Sequence, residues 1–536
     1  MMMVTILILS LVLWLPQPFY VAVRDPGAVM AAVAIATLLP PAWAALMVRS
    51  AVKAIDENPE HPVVGQYRLA TAAFTTQWLT AGLFAALLFF VPWLPMLERL
   101  KPIGAWPAVP GLLGMAPFIL CLLLIWTVSY PGERALRGII LEESFVRRTP
   151  ARPVWGLGEY LAFQFRHQVL FILIPLAVIL LARDVVYGYR RELLDLTRLD
   201  FAPDLIVGAV AIGVAVFAPW ILRYVWITKP LPEGPLRDRL NLLCEKMRLR
   251  CREILVWNTR GMVINAAVMG VIAPLRYVMI TDGMLEQMDD RKIEAVFGHE
   301  AGHVKRSHII YFLLFAAISG CLYTCTMIVA RRYGQEVTNT AHMALTVVLG
   351  VQWGVLFGWV SRRFERQADL FGVRALALAG VPCTQPCKLH DAQGAPDGRP
   401  PVVDLNMADV DKDALCATAA NVFSETLLDV GRLNGITADH FSLRHGTLGG
   451  RSRFVYQMAH DPPATRAFER RVSRVKLVIL ILTLVSALAM TAAMAQEYIK
   501  GGEHPKRGRR TAVMAESRDS AVRSAEVRGV IRPAGV

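Results

Sequence analysis

The sequence predicts a mostly α-helical, polytopic membrane protein that also carries a small α+β domain. Three observations support this fold class. Of the 536 residues, 55% are hydrophobic and only 19% are charged. The mean hydropathy of +0.42 is too apolar for an ordinary soluble protein of this length. The third observation is a series of uncharged windows, each close to the roughly 20 residues that a helix needs to cross a bilayer.

These windows predict eight or nine membrane-spanning helices. Six windows without Asp, Glu, Lys or Arg are long enough to span, namely 28–48, 71–94, 109–130, 309–330, 342–360 and 477–495. Two shorter windows, 168–182 and 205–222, are counted with them. The apolar start, MMMVTILILSLVLWLPQPF, contains Pro16 and Pro18 and lacks both a basic start and a small-residue cleavage site. We therefore interpret it as an anchor and not as a cleaved signal peptide.

The cysteines indicate the state of the thiols, and the net charge indicates the class of partner. The eight cysteines fall mostly in or beside the windows without the regular spacing of a secreted disulfide framework, which indicates reduced thiols. The net charge of +14 is spread over the loops that border the windows and over the basic tail, as expected for contact with an anionic lipid bilayer. Because no groove-like pattern of aromatic and basic residues accompanies this charge, a nucleic acid partner is not expected.

Residues 229–308 change character and predict a small folded domain. The segment PLRDRLNLLCEKMRL places Leu236, Leu240, Leu243 and Met247 on one helical stripe, which predicts a packed amphipathic helix. Three strand-like runs follow, REILVW, MVINAAVMGV and YVMIT, separated by turn residues. A helix with acidic residues at its start comes next, and it carries the histidines discussed below.

The segment FGHEAGHVKRSH, residues 297–308, carries the clearest chemical signal. His299 and His303 are four residues apart, so both imidazoles lie on one helical face and can bind one ion. Glu300 stands beside them, where a carboxylate can take a proton from the water that the metal activates. This H-E-x-x-H arrangement predicts a zinc site.

A zinc site of this kind needs a third protein ligand. Arg306 and Ile309 occupy the positions at which the metzincin extension needs Gly and His, so the ligand must come from further along the chain. The chain then crosses the membrane at 309–330 and crosses back at 342–360. This count excludes Glu336, in the distant loop, and favours Glu365 in SRRFERQADLFG. Asp369, one turn later, is suited to hold a ligand histidine in its tautomer.

Three blocks together resemble a known family. VINAAVMG, MITDGMLEQMDDRKIEAVFGHEAGHVKRSH and SRRFERQADLFG, in this order, look like the signature of the integral-membrane zinc metallopeptidases that include the CAAX prenyl endopeptidase and the HtpX-like proteases. The likeness covers roughly residues 230–475 and implies a zincin-like catalytic domain of the gluzincin type. It implies zinc ligands at His299, His303 and Glu365, the general base at Glu300, and an acid that supports the ligands at Asp369.

The resemblance also implies a substrate-binding edge strand at Asn265 and Ala266, which would pair with an extended polypeptide. The alternative interpretation of this segment is a core strand with a turn-forming Asn.

The chain departs from the family at the residue that stabilises the oxyanion. Members usually follow the third ligand with a His-Pro element and an Arg six residues after the His, but no His-Pro stands between Glu365 and the last window, 477–495. RHGTLGGR offers His445 with Arg451, and HDPPATR offers His460 with Arg466, at the same spacing. We favour His445, because the residues after His460 run into the charged helix that enters the last window. A third possibility is that neither histidine acts.

The resulting domain plan has six parts. They are an N-terminal transmembrane region at 1–228, a first catalytic part at 229–308, a transmembrane hairpin at 309–360, a second catalytic part at 361–474, a last transmembrane helix at 475–496 and a basic tail at 497–536 that is expected to be disordered. Basic residues flanking the catalytic parts predict that the site faces the cytoplasm. The same crossing count sends the basic tail to the other side, against the charge rule.

The predicted function is a zinc-dependent endopeptidase of a cell membrane, and the Arg- and Ala-rich composition favours a bacterial inner membrane. Its partners would be a polypeptide substrate and the lipid bilayer, with cleavage of damaged membrane proteins as the expected role. The alternatives are CAAX-type processing of prenylated peptides and an inactive scaffold of the same fold. An inactive relative would be expected to lose Glu300 or a ligand, and a transporter would show charges within spans and repeated halves. The sequence does not predict the oligomeric state.

Overall fold

The computed structural model describes residues 25–58, 63–100, 106–146, 154–197, 202–261, 263–381, 383 and 415–503. The predicted N-terminal anchor, the loop thiol Cys387 and the part of the basic tail beyond Glu503 lie outside the described residues.

The first part of the chain is a series of helices. Asp25 caps the first of them, because its carboxylate accepts a hydrogen bond from the amide of Ala28 at 2.9 Å. The helices are α1 (Pro26–Glu57), α2 (Val63–Phe90), α3 (Trp93–Arg99), α4 (Val109–Gly114), α5 (Ala116–Val146), α6 (Leu157–Gln164), α7 (Phe171–Gly188), α8 (Arg190–Thr197) and α9 (Ala202–Val225), with a π-helical turn at Phe165–Leu170 between α6 and α7.

Two predicted spans are interrupted in the structure. The window 71–94 ends as a helix at Phe90, and α3 starts after Pro92, which has no amide hydrogen to continue the ladder. The window 109–130 breaks at Met115, and Pro117 lies in the first turn of the helix that follows, where a missing amide hydrogen costs least. Both breaks follow the positions of proline.

The helices α1, α2 and α5 share an apolar core with the start of α7. Phe84 and Phe118 meet edge to face with ring centroids 5.0 Å apart, and Cys121 and Leu122 are almost fully buried beside them. Trp155 and Tyr160 extend this core towards α6. The packing of this core, among the described residues, is almost wholly apolar.

A four-stranded mixed sheet follows the helices. Its strands are β1 (Thr228–Pro230), β2 (Glu253–Trp257), β3 (Ala266–Met269) and β4 (Tyr277–Thr281), in the spatial order β1-β2-β4-β3. β2 and β4 are parallel, whereas β1 and β3 pair antiparallel on the two sides. The sequence predicted β2, β3 and β4 and missed β1, whose three residues carry no alternation. The predicted amphipathic helix is α10 (Pro235–Lys246), which buries Leu240 and Leu243.

The second half of the chain returns to long helices. They are α11 (Asp282–Gln287), α12 (Asp290–Lys305), α13 (His308–Ala330), α14 (Gln335–Val351), α15 (Phe357–Leu378), α16 (Ala417–Leu433), α17 (Leu448–His460) and α18 (Pro462–Glu503), with a π-helical turn at Gln352–Leu356. The chain forms two compact units, Met1–Leu313 with Val348–Leu477 and Leu314–Val347 with Val478–Val536. All the candidate site residues belong to the first unit.

Eight helical segments of the described chain are long and apolar enough to cross a membrane. Each overlaps one of the eight windows predicted between residues 28 and 495. Together with the small mixed sheet, they confirm the predicted fold class. The boundaries of the six predicted parts stay predictions.

Candidate active site

The helix that carries the two histidines is fixed at its start and packed closely along its length. Asp289 caps α12 by accepting a hydrogen bond from the amide of Lys292 at 3.0 Å. Two glycines then face α15. A Cβ at Gly298 would lie 2.5 Å from the Cβ of Ala375, and one at Gly302 would lie 3.1 Å from the Cα of Ala368. These glycines let α15 approach α12 closely enough for its side chains to reach the histidines.

Three donor side chains meet between α12 and α15. The Nε2 atoms of His299 and His303 are 3.2 Å apart. Oε2 of Glu365 lies 3.7 Å from Nε2 of His299, and Oε1 lies 3.6 Å from Nε2 of His303. Within the described residues these three form the one cluster of His, Cys, Asp and Glu donors with metal-binding spacing.

A buried ion pair, Asp369 with Arg451, contacts the donors His299 and Glu365, and it meets His299 on the side away from its metal-facing atom. Oδ1 of Asp369 lies 3.0 Å from Nδ1 of His299. Arg451 donates from Nε to Oδ2 of Asp369 at 2.9 Å, and its Nη1 lies 3.2 Å from Oε2 of Glu365. Asp369 is fully buried, and Arg451 is 7% exposed. Burying these charges costs free energy, which their mutual pairing offsets. The pairing fixes the carboxylate of Glu365 and the ring of His299 at the same time.

Burial and charge set the protonation of the two histidines. Burial lowers the pKa of His303 to about 4, which keeps this imidazole neutral and able to bind a metal. Burial also acts to lower the pKa of His299, but the hydrogen bond and charge of Asp369 outweigh it and raise that pKa above its ordinary value.

Glu300 is the ionisable group that lies between the two histidines in the sequence of α12. Burial raises the pKa of Glu300 to about 7, although the amide of Val268 donates a hydrogen bond that favours its charged form. A carboxyl with a pKa near neutrality is suited to take up and release a proton at cellular pH. Val268 belongs to β3, so the same contact joins the helix to the edge of the sheet.

His445 approaches the donors from a tight hairpin. Ser442 and Gly446 exchange backbone hydrogen bonds of 3.0 and 2.8 Å, and Gly446 has a φ of +75°, which glycine adopts without strain. Arg362 on α15 fastens the hairpin by donating to the carbonyl of Leu443 at 2.6 Å. Nδ1 of His445 lies 3.0 Å from Oε2 of Glu365, and the side chain is 47% exposed. The imidazole therefore sits at the mouth of the site.

The competing histidine has other contacts. His460 ends α17, and its Nδ1 lies 2.9 Å from the carbonyl of Tyr456, whose ring lies tilted against the imidazole with centroids 4.4 Å apart. Arg451 lies in the first turn of the same helix, nine residues earlier. This separation is about 13 Å along the helix axis. The structure thus brings His445 and Arg451 to Glu365, whereas His460 packs at the opposite end of α17.

The strand β3 lies at one edge of the sheet. The amide of Thr281 donates to the carbonyl of Asn265 at 3.1 Å, and the amide of Asn265 donates to Oγ1 of Thr281 at 3.1 Å. Both backbone groups of Asn265 therefore face β4. In an antiparallel ladder this direction alternates along the strand, so the backbone groups of Ala266 and Val268 face outward. The outward edge passes Glu300, as the hydrogen bond from Val268 shows.

Sequence reasoning missed three side chains of this site. Asn434, at the end of α16, accepts from the amide of Ile264 at 3.2 Å and donates to its carbonyl at 2.8 Å, as a paired strand would. His308 and Gln367 stand behind His303. A signal existed for His308, which ends the segment FGHEAGHVKRSH, but no spacing rule marked Asn434 or Gln367.

Comparison with known proteins places the chain in a family. Residues 234–510, more than half of the chain, match the model of peptidase family M48. A CAAX prenyl protease 1 homolog from Arabidopsis thaliana is 30% identical over 160 residues, which are 27% of this chain and 38% of that protein. Protease HtpX from Pseudomonas aeruginosa (strain LESB58) is 29% identical over 133 residues, which are 22% of this chain and 44% of that protein.

The matched segment therefore covers less than half the length of these relatives. The crystal structure of S. mikatae Ste24p aligns with 80% of this chain and 99% of that chain, at 15% identity and a TM-score of 0.48. The family model confirms the resemblance that the three sequence blocks indicated. This multi-pass membrane chain belongs to peptidase family M48.

Proposed function

We propose that this protein is a membrane-embedded, zinc-dependent endopeptidase that hydrolyses peptide bonds of polypeptide substrates. One observation carries the proposal. The donor atoms of His299, His303 and Glu365 converge within 4.8 Å of one another, and Glu300 stands on the same helix beside them. Membership of a peptidase family supports the same reaction class.

The donor set fits a zinc ion. Two imidazole nitrogens and one carboxylate oxygen are the ligands of many catalytic zinc sites, which leave a fourth position open. Ligand atoms at about 2.0–2.1 Å from a tetrahedral ion lie roughly 3.3–3.4 Å from one another. The distances here, 3.2, 3.6 and 3.7 Å, are close to this value without any rearrangement. His299, His303 and Glu365 would hold the ion.

The side chains around the donors divide the work of hydrolysis. A bound zinc ion supplies Lewis acidity and lowers the pKa of a water towards neutrality. Glu300 accepts the proton of the attacking water at its carboxylate and later delivers it to the amine of the leaving peptide. His445 donates a hydrogen bond to the oxyanion that develops on the carbonyl oxygen. Arg451 holds the Glu365 carboxylate, next to which His445 lies, and so acts as a positioning residue.

The sheet edge orients the substrate. An extended polypeptide would add a strand along β3 through the outward backbone groups of Ala266 and the outward carbonyl of Val268. The amide of Val268 already donates to Glu300, and Asn265 lies at the start of this edge. Asn434 already occupies the backbone groups of Ile264, so the added strand would have to begin after that residue. Strand addition presents a peptide bond to Glu300 in a fixed register, and an unstructured substrate is therefore required.

Substitution of the base tests the proposal. Glu300→Gln keeps the three donors and removes the proton acceptor. We therefore expect zinc content to remain near one per chain while the rate of cleavage falls about 10²–10⁴-fold. The assay is hydrolysis of an unfolded test polypeptide by the purified protein, with a chelator expected to abolish activity. Glu425→Gln, at an exposed glutamate of α16, is the matched control and should cleave at the wild-type rate. Cleavage by Glu300→Gln at that rate would refute the mechanism.

The proposed location is a bacterial inner membrane with the site facing the cytoplasm. The support is the set of basic residues at the ends of the spans that border the site, Arg223, Lys229, Lys305, Arg306, Arg362, Arg363, Arg474 and Lys476. The helix α18 has 42 residues, enough to span completely and to carry the tail to the other side.

Labelling of single cysteines tests this orientation. Gly283 is unsuitable because a Cβ there would lie 2.8 Å from the carbonyl oxygen of Val263. Glu233→Cys and Glu336→Cys are suitable, since both side chains are exposed and one crossing separates them. In intact cells an impermeant thiol reagent should label Glu336→Cys and leave Glu233→Cys at the wild-type background. The reverse pattern would place the site outside the cytoplasm.

The proposed substrates are damaged or misassembled membrane proteins. The edge of β3 would pair through backbone groups, which extended segments of any sequence present. Proteins that accumulate with the Glu300→Gln variant in a proteomic comparison with wild-type cells should then be membrane proteins of many sequences. Enrichment of prenylated chains alone would instead indicate CAAX-type processing.

A further inference from the structure

His308 is a buried histidine that the proposed reaction does not use. It is the first residue of α13, it has no exposed surface, and its ring stacks on Phe364 with centroids 4.4 Å apart and planes inclined by 6°. Its Nδ1 lies 3.0 Å from Nδ1 of His303, and its Nε2 lies 2.9 Å from Oε1 of Gln367. Both ring nitrogens are therefore engaged inside the protein.

The direction of these hydrogen bonds is fixed from the far end. Lys476 on α18 donates to Oε1 of Gln367 at 2.8 Å, and a lysine ammonium can only donate. The Nε2 of Gln367 donates to the carboxylate of Glu469, which also accepts from Arg374 at 3.1 Å. The amide of Gln367 thus has one orientation, with its oxygen facing both Lys476 and His308. A flipped amide would set its NH2 group against Lys476 and its oxygen against the carboxylate.

The orientation of Gln367 determines which ring nitrogen carries the proton in His308 and then in His303. Because Oε1 of Gln367 is an acceptor, Nε2 of His308 carries the proton and its Nδ1 is the unprotonated nitrogen. That Nδ1 must then accept from Nδ1–H of His303. With its proton on Nδ1, His303 leaves the lone pair of Nε2 free, and Nε2 is the atom that faces His299 and Glu365.

We propose that His308 is a positioning residue that holds His303 in its metal-binding tautomer, and that Gln367, oriented by Lys476 and Glu469, sets the proton of His308. The two histidine donors are then supported differently. Asp369 holds the ring of His299, and a neutral imidazole holds that of His303. The inference rests on the proposed metal site but not on peptide hydrolysis.

The proposal is tested by the zinc affinity of the wild-type protein and of two variants, His308→Phe and His308→Asn. Affinity is measured on purified full-length chains by competition with a chromogenic chelator. His308→Phe keeps an aromatic ring on Phe364 and removes the acceptor, and we expect zinc to bind 10–100-fold more weakly. His308→Asn can place its amide oxygen close to the position of Nδ1, so its affinity should stay within about threefold of wild type. The melting temperature of each protein in excess chelator reports whether the fold is intact.

The outcomes separate this inference from the proposed function. Failure of the wild-type protein to bind zinc would count against the proposed metal site. Wild-type affinity in a folded His308→Phe variant would overturn the role of His308, and equal losses in the Phe and Asn variants would show a packing role in place of a hydrogen-bond role.

A second measurement needs no variant of His308. In metal-free protein labelled with ¹⁵N-histidine, the imidazole signals of His303, identified by their absence in His303→Gln, should show the proton on Nδ1. A proton on Nε2 would overturn the proposal even if His308→Phe did not fold.

Discussion

The helices of residues 25–225 and the chain that follows them bury polar groups in different ways. In the described part of the first region, the buried polar side chains are Thr37, Thr76 and Thr80. Thr37 and Thr80 each donate to a carbonyl one turn earlier in their own helix, at 2.7 Å. The second region buries full charges, namely Glu294, Glu365, Asp369, Arg374 and Arg451, together with His299, His308 and His342.

The two kinds of buried polar group differ in the free energy that their burial costs. A buried threonine that bonds to its own helix is nearly neutral and can be replaced by an apolar residue. A buried charge costs several kcal/mol unless it is paired, so such a group is tolerated only within a well-formed network. The network of Glu365, Asp369 and Arg451 surrounds the donors of the candidate metal site. Glu294 instead pairs with Arg239 and Arg291 nearer the start of α12. The contrast predicts that substitutions in the two regions will have very different effects.

The largest effect on stability is expected at Arg451. Arg451→Met leaves the carboxylates of Asp369 and Glu365 buried without their cation, so the free energy of unfolding should fall by about 3–5 kcal/mol. Thermal unfolding in detergent with excess chelator would measure the change as a drop of several degrees in Tm. Arg453→Met, an exposed arginine on the same helix, is the matched control and should leave Tm unchanged. An equal Tm for both variants would mean that the ion pair of Asp369 and Arg451 contributes little.

The next effect separates the two candidate histidines. His445→Ala removes the proposed donor to the oxyanion, and we expect the turnover rate to fall on the order of a hundredfold, or about 2.7 kcal/mol, with zinc content and KM little changed. His460→Ala should have a weaker effect because that imidazole packs on Tyr456. Steady-state kinetics on an unfolded polypeptide would measure both. If His460→Ala were the impaired variant, the oxyanion role would pass to HDPPATR.

The smallest effect is expected among the N-terminal helices. Thr37→Val removes a hydrogen bond within α1 whose carbonyl keeps its helical partner, so stability should change by less than about 1 kcal/mol. Thr465→Val provides the comparison, because the fully buried Thr465 joins α17 to α18 by donating to the carbonyl of Met458 at 2.9 Å. Thermal unfolding should show a larger loss for Thr465→Val. The opposite order would contradict the contrast between the regions.

Much of the fold was predictable because it depends on local pattern. The eight spans follow from uncharged windows, and the start of α12 follows from an acidic cap at Asp289. The strand β1 was not predictable, since its three residues are held by pairing with β2 and not by their own pattern. The breaks in two predicted spans follow from prolines that a hydropathy window does not weigh.

The residues of the candidate site also divide into those that local pattern predicts and those that it does not. His299, Glu300 and His303 are predictable because helical geometry alone places residues four apart on one face. Glu365 followed from counting membrane crossings, which needs only the order of the spans. Asn434 escaped prediction because its role depends on α16 ending beside β3, and an asparagine after a helix has an ordinary local role.

The sequence by itself determined the membrane class, the H-E-x-x-H helix and the order in which the chain returns to it, because these depend on composition and on contacts between near neighbours. Tertiary structure alone decided which histidine meets Glu365 and how His303 is held. His445 and His460 have the same spacing to an arginine, and although the charged helix after His460 favoured His445, it is the packing of a hairpin against α15 that brings His445 to Glu365. The tautomer of His303 depends on groups from α13, α15 and α18, and a hydrogen-bond network of that kind exists only once the helices have packed.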